Sequence, residues 1–80
     1  MVDGDEMTRE SLRVAEMCKP VLAKRHPVVQ GAALAELVSL WLAGHEERVR
    51  EQVLEAHIGV VRELTKVNAA RLWGSRETRQ

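Results

Sequence analysis

The chain has 80 residues, of which 45% are hydrophobic and 30% charged, and its 12 basic and 12 acidic side chains cancel. That composition excludes a disordered polypeptide and internal disulfides, because Cys18 is the sole cysteine, and the zero net charge argues against a bulk electrostatic grip on nucleic acid. A domain this short buries only about 60–65% of the surface its unfolded form exposes, which leaves a lone copy marginal without a metal, a disulfide or a partner chain.

Phe and Tyr are absent, and Trp41 and Trp73 are the only aromatic residues. Leu, Val and Ala supply the apolar content, which suits close helix–helix packing. Five glycines and two prolines are too few for the many turns of a β-fold. The opening MVDGDEMTRE lacks a basic stretch followed by an apolar one, so no secretory leader is expected and Cys18 is read as a reduced, cytoplasmic thiol. Charge is divided between the ends. Asp3, Asp5, Glu6 and Glu10 outweigh Arg9, whereas Arg62, Lys66, Arg71, Arg76 and Arg79 outweigh Glu63 and Glu77.

The pattern predicts an all-α fold of three helices. Residues 1–5 read as a flexible acidic N-terminus, 6–73 as a single helical domain and 74–80 as a flexible polar tail. The first helix is expected from Glu6 to about Lys24, with Asp5 or Thr8 as N-cap. Met7, Ser11, Val14, Cys18 and Val21 follow the 4-3-4-3 spacing of one helix face, with Leu12, Ala15 and Leu22 beside them. Pro20 sits inside that pattern, lacks a backbone donor and crowds the preceding turn, so a kink is expected near Lys19. KRHP, 24–27, is the first connection. Pro27 fits the first turn of a second helix, and Gly44 is placed to end it in the left-handed conformation. A third helix should start at once, with Glu46 and Glu47 in its first turn, and run to about Trp73. The short turn between them makes helices two and three a hairpin.

GAALAELVSLWLAG, 31–44, carries one charge, Glu36, in fourteen residues. It is shorter than the roughly 20 residues that span a bilayer, so it reads as a buried helix and no membrane association is expected. Gly31, Ala35, Ser39 and Ala43 recur at every fourth position and form a small-residue stripe that permits close backbone approach. Leu34, Leu37, Val38, Trp41 and Leu42 take the other side. A helix apolar almost all round must be surrounded, and two neighbours in one chain are too few. The expected assembly is a homodimeric helical bundle. Its interface is read as Gly31, Ala35, Ser39, Trp41 and Ala43 of helix two with Val60, Leu64 and Val67 of helix three.

Polar candidates are sparse. Glu36, Arg50, His57 and Asn68 form a possible buried cluster, with Glu36 paired to His57 or to an arginine, because a buried carboxylate needs a partner. His26, His45, His57 and the row Glu47, Glu51, Glu55 are the residue types that could ligate a metal. Glu55 and His57 are two residues apart and diverge, whereas bundle metal sites use Glu-x-x-His, so no metal and no cofactor are expected. Cys18 has no acid–base partner and reads as a small buried hydrophobe. No nucleophile motif or phosphate-binding glycine loop is present, and no catalytic residue is assigned. Helices two and three resemble a helix-turn-helix in outline, but Glu46, Glu47 and Glu51 dilute Arg48 and Arg50 where such a motif meets phosphates. The expectation is a self-associating interaction or regulatory accessory protein. The alternatives are a small DNA-binding regulator and a helical adaptor docking on a larger protein.

Overall fold

The computed structural model describes residues 4–74. These form three helices, α1 (Gly4–Leu22), α2 (Pro27–Ala43) and α3 (Glu47–Trp73), with no strand among the described residues. At 1.5 Å per residue they are about 28, 26 and 40 Å long. The expected flexible ends fall mostly on residues 1–3 and 75–80, outside the described residues.

α1 starts at Gly4, two residues before the expected Glu6. Thr8 lies inside the helix rather than at its cap. Its Oγ1 donates to the Gly4 carbonyl at 2.9 Å, as the Ser11 hydroxyl does to Met7 at 2.8 Å. Glu10–Arg13 and Glu16–Lys19 are exposed ion pairs one turn apart. The helix runs through Pro20 and ends at Leu22, short of the expected Lys24. The last turn closes with Ala23 N–H on the Lys19 carbonyl at 2.9 Å. Lys24 then adopts φ 66° and reverses the chain. The freed carbonyls are taken by side chains. Arg25 Nε donates to Val21 O at 2.6 Å, and Gln30 Nε2 donates to Leu22 O at 2.7 Å.

Pro27 opens α2 as its fixed φ and missing N–H predict. His26 is its N-cap, a role the sequence pattern did not suggest. The Val28 N–H donates to His26 Nδ1 at 3.1 Å, satisfying one of the four orphan donors at the helix start.

The C-terminal end of α2 corrects the expectation for Gly44. Among the described residues the positive φ values are at Lys24 and Gly74, not Gly44. The chain instead tightens. Gly44 N–H is shared between the Leu40 and Trp41 carbonyls at 3.2 Å each, and His45 N–H reaches Leu42 O at 3.0 Å. Arg50 replaces the left-handed cap, with Nη2 on Ala43 O at 3.1 Å and Nε on His45 O at 3.0 Å.

α3 begins at Glu47. Glu46 is its N-cap in extended conformation, φ −60° and ψ 141°, without a side-chain cap bond. Its carboxylate turns to Arg48 Nε at 2.9 Å. At the other end Gly74, at φ 65°, donates its N–H to Ala70 O at 2.8 Å.

The chain divides into two units, Met1–Glu36 and Leu37–Gln80. In the first, only Leu22, Gln30 and Ala33 are half-buried. In the second, half-buried residues line one hairpin seam, Val38 and Leu42 on α2, His45 in the connection, and Val49, Val53, Leu54, His57 and Ile58 on α3. The seam follows helical spacing on both sides, so each side presents one face. No described residue is fully buried.

Candidate interaction surface

The seam of the second unit centres on Trp41. Its ring lies 5.1 Å from that of His45, edge-on at 83°, and 5.0 Å from that of His57, tilted at 54°. His45 Nδ1 is also 2.9 Å from the Trp41 carbonyl. One indole therefore joins the last turn of α2, the connection and the third turn of α3.

Along α3 the residues Val53, His57, Val60, Leu64, Val67 and Arg71 alternate steps of four and three, the spacing that keeps a stripe facing one partner helix. Cover over this stripe stops early. Val53, His57 and the neighbouring Ile58 are half-buried, whereas Val60, Leu64 and Val67 are 54, 53 and 48% exposed. Val61 and Leu72 extend the same bare surface. α1 carries a second one. Met7, Val14 and Val21 are 61, 48 and 63% exposed, and Cys18 between them is exposed.

The residues expected at an interface are thus open in the single chain. Ala35, Ser39 and Ala43 are exposed, and a Cβ added at Gly31 would meet nothing within 4 Å. The small-residue stripe is not a close-packed seam within the chain. Trp41 is also exposed, at 47%, although its ring lies against that of His57.

The candidate polar cluster is largely open in the single chain. Glu36, Arg50 and Asn68 are exposed and His57 is half-buried. Arg50 is engaged as the α2 cap and His57 with Trp41. Cys18 is likewise exposed, not buried in one chain. The histidines serve local structure, His26 as a cap and His45 and His57 around the indole. Among the described residues no three His, Cys, Asp or Glu side chains are grouped to hold a metal ion, and no helix is long and apolar enough to cross a membrane. Arg48 is paired with Glu46 and Arg50 with backbone carbonyls, so both cations at the start of α3 are already engaged.

The α1 stripe is the surface that sequence reasoning left out of the interface. Its signal was present in the spacing of Met7, Val14, Cys18 and Val21, but periodicity alone does not distinguish a face covered within the chain from one left open. No protein-family model, curated protein or solved structure matches the chain.

Proposed function

We propose that this chain is a small, non-catalytic, self-associating helical protein that acts in the cytoplasm as an interaction or regulatory accessory factor. Its working form is a two-fold homodimeric bundle. The observation that carries this reading is the absence of any buried side chain among the described residues, in a chain that is 45% hydrophobic. A second copy would cover apolar side chains that are open in the single chain, among them Met7, Val14 and Val21 on α1 and Val60, Leu64 and Val67 on α3.

In this reading the apolar residues Val60, Leu64 and Val67 enter the dimer core with the α2 stripe Gly31, Ala35, Ser39 and Ala43. Pro20 marks where α1 bends to follow its partner, because its missing N–H deprives the Glu16 carbonyl of its helical donor. The DNA-binding alternative ranks lower, since Arg48 and Arg50 already serve intramolecular bonds. Light scattering at micromolar concentration tests the proposal. A mass of twice 9.0 kDa is expected, and a folded monomer overturns it. Ala35→Leu is expected to weaken the dimer by roughly 1–3 kcal/mol through overpacking while leaving helix content unchanged. An unchanged dissociation constant removes the small stripe from the interface.

A further inference from the structure

Besides the exposed apolar residues of α2, the single chain carries an apolar stripe on α1, Met7–Val14–Cys18–Val21, and another on α3, Val60–Leu64–Val67. The α1 stripe covers about 21 Å and the α3 stripe, taken to Leu72, about 18 Å. We propose that α1 of each chain lies antiparallel along the Val60–Leu72 half of α3 in a second copy, and that the exchange is reciprocal. The proposal rests on the self-association reading and specifies which surfaces meet.

Charge sets the direction. The start of α1 holds Asp5, Glu6 and Glu10 against Arg9, a net −2. The second half of α3 holds Arg62, Lys66 and Arg71 against Glu63, a net +2. Antiparallel packing places the acidic first turns of α1 at the basic last turns of α3, with the helix dipoles opposed favourably. When Val14 is level with Leu64, Cys18 meets Val60, and Met7 meets Arg71. Arg71 ends the α3 stripe four residues after Val67, and Glu6 and Glu10 then flank it. Parallel packing with Val14 level with Leu64 sets Val21 at Arg71 instead, with Lys19 the nearest charged residue of α1.

Reciprocity sets the number. Each chain offers one α1 stripe and one α3 stripe, so a reciprocal exchange between two copies pairs all four of these, in the pattern of a two-fold dimer. An α3–α3 pairing leaves both α1 stripes bare.

Two full-length charge-reversal variants test this. One carries Glu6→Lys and Glu10→Lys, the other Lys66→Glu and Arg71→Glu. These sites are exposed, so far-UV circular dichroism should stay helical. Each variant alone should dissociate at least roughly tenfold more readily than wild type at low salt, because four attractions become repulsions. An equimolar mixture should form a 1:1 heterodimer, since both of its interfaces pair opposite charges. Cys18 offers a second readout. Its reaction with a thiol reagent should slow several-fold as wild-type concentration rises through the dissociation constant. A mixture that associates no better than its components overturns the exchange, as does weakening by the α3 variant alone, which indicates α3–α3 pairing. In either case a dimeric wild type leaves self-association standing. A monomeric wild type ends both readings.

Discussion

Lys24 is the one described non-glycine residue with a positive φ, 66°. A side chain in the left-handed region costs about 1–2 kcal/mol, and the position ends α1 as glycine commonly ends a helix. Lys24→Gly is expected to stabilise the fold by roughly 0.5–1 kcal/mol, because the relieved strain exceeds the added freedom of the unfolded chain. Thermal denaturation should show a Tm rise of a few degrees, and a fall would contradict the strain argument. His26→Ala should act in the opposite direction, since it removes the Nδ1 acceptor for Val28 N–H. The expected loss is about 0.5–2 kcal/mol, read by denaturant titration. Glu46 offers a gain. It occupies the α3 N-cap without a cap bond, so Glu46→Ser should stabilise by about 1 kcal/mol. At this scale the sequence was legible for Pro27, whose ring dictates its place. It was misleading at Gly44 and Lys24. Cap identity depends on which side chains reach the freed carbonyls, and Arg50 reaches back seven residues to Ala43. Propensity tables do not contain that reach.

Helices were the most legible elements, since the 4-3 spacing of Met7 through Val21 and of Val53 through Arg71 admits no strand. The α2–α3 turn followed from Gly44 and the charged run behind it, although α3 starts one residue later than the pattern suggested. What periodicity does not reveal is which part of a stripe its own chain covers. The half-buried stretch of the α3 seam ends at Ile58, and only Ala69 beyond it is again half-buried. The hairpin itself depends on Arg50 and on the contacts of Trp41. Arg50→Met should keep the aliphatic stem but lose both carbonyl bonds, at about 1 kcal/mol after allowance for exposure. Amide hydrogen exchange at Gly44 and His45 should then quicken more than exchange in the middle of α1. Equal acceleration in both places would show that Arg50 acts on the whole fold and not on this turn.

For the molecule as a whole, the chain's apolar content, its neutral charge and its short length all lead to one physical problem. Among the described residues no side chain is buried, and in the proposed dimer a second copy covers the three apolar faces. The sequence states this problem through GAALAELVSLWLAG, and in the single chain Glu36, Arg50 and Asn68 are exposed. If a second copy completes the core, folding and association are one event, and stability rises with protein concentration. The decisive measurement is the Tm followed by circular dichroism over a hundredfold range of concentration. For a dimer of this size the Tm should climb by roughly 4 °C per tenfold increase. A constant Tm across that range, with a cooperative transition and a 9.0 kDa particle, would contradict the account.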